Sequence, residues 1–191
     1  MKKIFGILKP SEIIVFLSTI GFIVVLTLLN FSASAMRERN ENRSKNLDSI
    51  VEAMKKFHKT YGFYPKSSPD HKIIACAGEK TLIRRGTQDF INPVPCEWET
   101  DQFSEDITDP GLAPLLTIIP TDPDSANGVR YHYISDGKNY QIYAAYEGKP
   151  KLDFNEKVRK LGLTCGTKIC NGGKANSEEI SLDQPIDTSN N

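Results

Sequence analysis

An uncharged apolar stretch near the N-terminus constrains the fold of this chain more than any other feature. Residues 13–31, IIVFLSTIGFIVVLTLLNF, contain no charged side chain. At a rise of about 1.5 Å per residue, a helix of this length nearly spans a hydrocarbon core of roughly 30 Å. We therefore expect residues 13–36 to form the transmembrane half of a helix, with a leader or cytoplasmic stub over residues 1–12.

The residues around this stretch bear on its orientation and on whether it is retained. Lys2, Lys3 and Lys9 precede it and suit a cytoplasmic N-terminus. A cleaved secretory signal peptide is the alternative, because residues 33–35 (ASA) fit a cleavage site, but the stretch exceeds the usual apolar core of about 7–15 residues. We therefore predict a retained single-pass anchor in the cytoplasmic (inner) membrane, in contact with lipid, with the C-terminal domain outside.

The helix is predicted to continue through residues 37–62 as a polar and then amphipathic half. These residues contain no proline and are rich in helix formers, and Gly62 is a natural helix end. Apolar residues at steps of three and four share one helix face and are expected to pack on a domain: Leu47, Ile50, Val51, Met54, Phe57 and Tyr61. Residues 37–46 lack such a face, so we expect a solvated stalk there.

The residues after the helix predict a small sheet. Two runs rich in aromatic and β-branched residues, 129–135 and 139–146, flank an Asp-Gly pair, which is a strong signal for a β-hairpin. The apolar helix face can cover such a sheet, which gives a two-layer arrangement. We therefore predict an α+β fold, in which the long N-terminal helix packs on a small antiparallel sheet.

The rest of the domain carries weaker patterns. Residues 63–173 are expected to form the extracytoplasmic domain. Residues 71–111 within it are expected to be a long irregular stretch, and stretches of this length in compact domains are usually held by a covalent cross-link or have a function. Residues 174–191 are mostly Ser, Asn, Asp and Glu, with few apolar groups. Such a composition cannot bury enough apolar surface to offset the entropy of ordering, so we expect a disordered tail.

The four cysteines all lie outside the predicted helix. Disulfides suit a domain in an oxidising compartment, and four cysteines allow three pairings. We favour Cys76–Cys96, which closes the long irregular stretch and stabilises it by about 3 kcal/mol in the loop-entropy model, and Cys165–Cys170, which pins a turn. Zinc is the alternative, but Cys76 and Cys96 lack the near-neighbour partners of a zinc site.

The N-terminal half resembles the prokaryotic type IV pilins and the pseudopilins of type II secretion. Glu12 opens the apolar stretch, Gly21 follows nine residues later, and Tyr61–Pro65 (YGFYP) matches the turn that ends the family helix. Ile119–Pro123 (IPTDP), before two aromatic strands, also looks like the pseudopilin pattern. The resemblance covers residues 6–65 well and residues 112–148 loosely.

The resemblance implies a processing site and a role for Glu12. Gly6-Ile7 is the position of a prepilin-peptidase junction, although Glu12 then falls sixth rather than fifth and Lys9-Pro10-Ser11 replaces the family's Phe-Thr-Leu. In the family this Glu pairs with the free N-terminal amine of a neighbouring subunit. The alternative is a first-turn acid that interacts with the helix dipole, behind a capping serine. Gly21 is assigned to helix packing.

The loop before the hairpin is a candidate calcium site. Asp122, Asp124 and Asn127 place carboxylate and amide oxygens within one turn, and calcium prefers such ligands. Some pseudopilins bind calcium near this loop, so the resemblance adds to the prediction. The alternative is an ordinary turn held by side-chain to backbone hydrogen bonds. No other cofactor is predicted.

Two classes of function follow from these patterns. The first is a pilin-like or pseudopilin-like subunit of a cell-surface or periplasmic filament, whose partners, by resemblance, are copies of itself or related pilins, a platform membrane protein, an assembly ATPase and a prepilin peptidase. The alternative is a membrane-anchored extracytoplasmic binding module that does not polymerise. The balance of 24 basic and 24 acidic residues gives no argument for nucleic acid, and without a nucleophile elbow or phosphate loop no enzyme is predicted.

Overall fold

A computed structural model describes residues 10–76, 82–85, 88–104, 114–150, 153–177 and 179–188. Its dominant element is helix α1, which runs from Pro10 to Tyr61 and confirms the predicted long N-terminal helix. Gly62 ends it in the left-handed region at φ 76° and donates its backbone N–H to the carbonyl of His58 at 2.8 Å. Glycine adopts this conformation without the steric cost that a Cβ brings.

The chain divides into two compact units, and the first ends at Arg39. Large apolar side chains of this unit are exposed, with Phe16 at 60% and Phe31 at 73%. Among the described residues, α1 is the one helix that is long and apolar enough to cross a membrane. The hydroxyls of Thr19 and Thr27 donate to carbonyls one turn earlier, so these polar groups are satisfied within the helix, as a lipid environment requires.

The second unit begins at Asn40 and contains the remaining part of α1 together with the strands. Its main sheet contains three antiparallel strands, which are β5 (His132–Ser135), β6 (Tyr140–Ala144) and β9 (Gly172–Ala175). Strand β6 lies between β5 and β9. A tight turn joins β5 to β6, and there the Asp136 carboxylate accepts the backbone N–H groups of Lys138 and Asn139. The predicted hairpin is therefore present, and β9 adds an edge strand that the sequence did not locate.

Short antiparallel pairs surround this sheet. They are β1 (Ile74–Cys76) with β4 (Val94–Pro95), β2 (Leu82–Arg85) with β3 (Gln88–Ile91), and β7 (Thr164–Cys165) with β8 (Lys168–Ile169). A single 3₁₀ turn (Ser125–Asn127) and a short helix α2 (Glu156–Lys160) complete the described elements. Within its described residues, the predicted irregular stretch contains only short strands.

The main sheet is covered on both faces. One core cluster joins the α1 side chains Leu47, Ile50 and Met54 to the inner sheet residues Tyr133 and Ile142. A second cluster on the other face contains Val129, Ile134, Tyr143, Ala145, Val158, Cys165 and Cys170. The expected packing of the helix on the sheet is therefore present, and a C-terminal layer adds to it.

The side chains of the predicted apolar face of α1 become less buried toward the end of the helix. Leu47, Ile50 and Met54 are fully buried, and Phe57 is nearly so. Val51 is half-buried against the core, and Tyr61, at the end of α1, is 38% exposed. The face therefore contacts the domain most closely over its first two turns.

The disulfides follow the favoured pairing. Cys76 is bonded to Cys96 beside the β1–β4 pair, and Cys165 is bonded to Cys170 around the β7–β8 hairpin. All four cysteine residues are buried, and the Cα atoms of each pair lie 5.1 Å apart, within the ordinary range for a disulfide. The first bond joins two ends of the long irregular stretch, which otherwise has little regular structure to hold it.

Two segments that we expected to be solvated contact the second unit instead. Residues 40–46 of the expected stalk bury polar side chains, as described below. The expected disordered tail, residues 174–191, begins inside β9, and its later part lies against the sheet. The side-chain amide of the buried Gln141 donates to the carbonyls of Ser181 and Gln184, and its oxygen accepts the N–H of Ile186. A buried amide requires such partners, and the polar tail supplies them through its backbone.

The burial of α1 gives a direct test. Ile50→Ala removes a fully buried side chain and is expected to lower the free energy of unfolding by about 2–4 kcal/mol, because it leaves a cavity under the sheet. Glu52→Ala changes an exposed position on the same helix and is the matched control. Chemical denaturation of the full chain in detergent micelles measures both variants. Equal stability of the two variants would contradict the packing described here.

Candidate functional site

The first part of α1 carries the residues predicted to act in assembly. Glu12 lies in the first turn of α1 and its side chain is exposed. Its carboxylate therefore lies near the N-terminal end of the helix, where a negative charge interacts favourably with the helix dipole. Apart from the chain neighbours of Gly21 and the backbone of its own helix, no atom of the described residues would lie within 4 Å of a Cβ at this position, so the helix surface is open there. Gly6 and Ile7, the predicted junction, lie outside the described residues.

A buried ionic cluster lies where α1 enters the second unit, and Arg43 is at its centre. The Arg43 side chain is fully buried, and so is that of Asp122. Arg43 Nε and Nη2 donate to the two carboxylate oxygens of Asp122 at 2.8 and 2.9 Å. Nη1 donates to Oε1 of Glu147 at 2.9 Å and to Oδ1 of Asn40 at 3.0 Å. The guanidinium thus meets oxygens from three separate segments of the chain.

The electrostatics of the cluster favour its charged form. Burial lowers the pKa of Arg43, but the hydrogen bonds and charges of Asp122 and Glu147 outweigh this effect and raise the pKa above its usual value. A guanidinium presents its donors as a planar fork, which fits a carboxylate bidentately. Arg43 therefore stays charged inside the domain, and its partners offset the cost of burying that charge.

Polar side chains around Arg43 extend the contact along α1. Asn40 donates to the backbone carbonyl of Glu147 at 2.8 Å and accepts its N–H at 2.9 Å. Asn46 donates to the carbonyl of Thr121 and to the hydroxyl of Tyr131. Because positions 40, 43 and 46 share one helix face, the packed face of α1 begins in polar residues and continues in apolar ones. We call Asn40, Arg43, Asn46, Asp122 and Glu147 the polar seam.

Two of the three candidate calcium ligands, Asp122 and Asp124, are paired with basic side chains. Both oxygens of Asp122 accept from Arg43, and one also accepts the backbone N–H of Asp124. Asp124 pairs with Lys168 at 2.6 Å and accepts a hydrogen bond from the amide of Asn127. The hydrogen bonds and charge of Lys168 lower the pKa of Asp124. A cation at this turn would compete with both Arg43 and Lys168.

No metal cluster stands out elsewhere in the described residues. There, no group of three or more His, Cys, Asp and Glu side chains is arranged to hold an ion. A histidine pair is another feature of the described residues that the sequence did not indicate. The rings of His71 and His132 stack with centroids 3.7 Å apart. His132 alternates with the apolar residues along β5, yet its side chain is buried.

The surroundings of the histidine pair disfavour its charged form. His132 Nδ1 lies 2.9 Å from the carbonyl oxygen of Thr164, and its Nε2 is buried with no hydrogen-bond partner in the described structure. Burial, and then the charge of His71, lower the pKa of His132 to about 4. Burial also lowers the pKa of His71, although the charge of Asp70 opposes that shift. The ring of Tyr143 on β6 faces His132 from the other side.

The chain matches no protein-family model, no curated protein and no solved structure. Its function is therefore argued from the geometry above and from the sequence patterns. The pairing of Arg43 with Asp122 is the main feature that sequence reasoning missed. Asp122 belongs to the IPTDP segment, whose turn residues drew attention to calcium rather than to a distant arginine.

The polar seam gives the second test. Arg43→Met is expected to lower the free energy of unfolding by about 3–5 kcal/mol, because it leaves the buried carboxylate of Asp122 without its partner. Lys45→Met is the matched control, since Lys45 pairs with Glu41 at a site where both side chains are about two-thirds exposed. That exposed pair is worth less than about 1 kcal/mol. If denaturation of the full chain finds equal losses in the two variants, the seam does not stabilise the domain.

The histidine pair predicts that the free energy of unfolding depends on pH. Because the folded pKa of His132 lies below the unfolded value near 6.5, the unfolded chain binds more protons, and stability falls as the pH drops from about 6.5 to about 4. The loss from this group is expected to be about 2 kcal/mol. His132→Phe keeps a ring and removes the titration. Carboxylates such as Asp70 titrate in both proteins, so the difference between wild type and variant isolates the histidine.

Unfolding free energies of the full chain, measured between pH 4 and 7.5, provide this comparison. The wild-type curve is expected to fall more steeply than that of His132→Phe below pH 6.5. Parallel curves for the two proteins would show that His132 does not control the acid sensitivity.

Proposed function

We propose that this chain is a pilin-like or pseudopilin-like structural subunit that assembles through its N-terminal helix into an extracellular or periplasmic filament. The observation that carries the proposal is the division of α1. Its first part is apolar, exposed and long enough to cross a membrane, and its second part is built into a disulfide-bonded α+β domain. The turn at Tyr61–Pro65, where α1 ends, supports the same proposal through the sequence resemblance.

Assembly of such a subunit exchanges one apolar environment for another. In the membrane, lipid covers the side chains of residues 13–36, and in a filament the corresponding helices of neighbouring subunits cover them. The net change in apolar surface exposed to water is therefore small. Helix packing and polar pairs then decide the register between subunits. In this proposal Gly21 permits close helix approach, and Glu12 provides the polar pair.

The apolar part of α1 and the two disulfides also support a proposal for where the subunit lies in the cell. The subunit is held in the cytoplasmic membrane with its domain outside, where an oxidising environment supports Cys76–Cys96 and Cys165–Cys170. Its partners are membrane lipid before assembly and other pilin-like subunits afterwards. An assembly ATPase, a platform membrane protein and a prepilin peptidase are proposed by resemblance alone.

Substitution of Glu12 tests the filament. Glu12→Ala is expected to abolish or slow assembly, because it removes the carboxylate that would pair across subunits in a low-dielectric core. Glu38→Ala, at an exposed position further along α1, is the matched control and is expected to assemble normally. Negative-stain electron microscopy of native membranes and shed material measures both. If wild type yields only monomers, or if Glu12→Ala assembles as the wild type does, the anchored binding module becomes the better description.

N-terminal sequencing of the mature protein separates the processing alternatives. A start at Ile7 is expected for a subunit cleaved by a prepilin peptidase, and it supplies the free amine with which Glu12 would pair. A start at Met1 indicates an uncleaved anchor, and a start at Met36 indicates a secreted domain. The last result contradicts assembly through the apolar helix.

A further inference from the structure

An apolar cleft lies beside the end of α1, within the second unit. Its volume is about 590 Å³, which falls in the range of roughly 300–1,000 Å³ typical of small-molecule sites. Side chains from the end of α1, the following turn and the β1–β4 region form its apolar walls: Phe57, Tyr61, Phe63, Pro65, Ile74, Ala75 and Pro93. The cleft therefore has the size and lining of a ligand site.

Aromatic rings form one wall of the cleft. The Phe57 ring packs edge-on against Phe63 with centroids 5.8 Å apart, and it also contacts Tyr61. Phe63 is 50% exposed, although it is a large apolar side chain. Exposed aromatic surface that borders an apolar cleft is a common feature of binding sites, because a bound apolar group removes it from water.

The charges at the mouth of the cleft are unbalanced. Lys66 and Lys138 line it, both are exposed, and neither forms an ion pair within the described part of the chain. Asp136 also lines the cleft, but its Oδ1 already accepts the N–H groups of Lys138 and Asn139. The residues that line the cleft therefore include two lysines and one aspartate, and the aspartate carboxylate is partly used by its own turn. This balance favours an anion.

Two backbone donors beside the cleft are already used. The N–H of Ile74 donates to the carbonyl of Lys66 at 2.9 Å, and the N–H of Tyr64 donates to the carbonyl of Gly137 at 2.7 Å. An extended peptide that adds to a sheet needs free backbone groups of this kind. These two donors are therefore not available to an extended peptide, whereas the side chains that line the cleft can contact a compact ligand.

We propose that this cleft binds a compact apolar carboxylate, with its ring or aliphatic part between Phe63 and Pro65 and its carboxylate near Lys66 and Lys138. The site is independent of filament assembly, because none of its lining residues belongs to the apolar part of α1. The anchored domain then has a ligand-binding role in addition to any structural one.

Equilibrium dialysis of the full chain in neutral-lipid nanodiscs tests the site, with indole-3-acetate as the probe and empty nanodiscs as the reference. Saturable binding is expected for the wild type. Indole-3-acetamide has nearly the same shape without the charge, and it is expected to bind more weakly. The double variant Lys66→Glu, Lys138→Glu reverses both charges and is expected to weaken indole-3-acetate binding roughly tenfold.

Two further variants complete the design. Phe63→Ala removes a half-exposed ring and is expected to weaken binding of both probes, because it acts on apolar contact alone. Lys160→Glu, on α2 and outside the cleft, is the charge control and is expected to bind normally. Thermal unfolding checks that each variant is folded. The proposal is overturned if the wild type shows no saturable binding, if the lysine double variant binds as the wild type does, or if Phe63→Ala alters only the oligomeric state.

Discussion

The buried guanidinium of Arg43 is the constraint on which the second unit depends. A charge removed from water is costly unless its hydrogen-bonding groups are paired, and here Asn40, Asp122 and Glu147 supply the partners. These partners lie one turn away on α1 and on two distant loops. Satisfying one side chain therefore fixes the rotation of α1 about its own axis and the position of both loops. The apolar contacts of Leu47 and Ile50 follow from that orientation.

The elements that could be predicted from the sequence are those whose apolar residues recur at regular spacing. The apolar steps at Leu47, Ile50 and Met54 predicted the buried face of α1, and the alternation around Asp136-Gly137 predicted the hairpin. The sequence did not predict the polar seam, because an apolar pattern along a helix does not reveal polar residues that are buried. Asn40, Arg43 and Asn46 continue the same helical period, but their burial depends on partners that are far away in sequence.

The remaining misses also have physical causes. Strand β9 reads Gly-Gly-Lys-Ala and lacks β-branched and aromatic residues, yet a side chain at Gly173 would meet the carbonyl oxygen of Ile142 at 2.3 Å. Close backbone approach, rather than strand propensity, selects that glycine. The C-terminal residues look disordered by composition, but they are held by Gln141 through their backbone groups, which composition does not report.

Strand β9 has a consequence for the order of events during biosynthesis. It pairs with β6 at the edge of the main sheet, and the residues that follow it cover the second core through Leu182 and Ile186. The Arg43 pairs join residues 79 and 104 positions apart. Contacts of such range require distant segments of the chain to come together, which slows folding. The second unit is therefore completed only after residues 172–186 have been synthesised and have packed on the sheet.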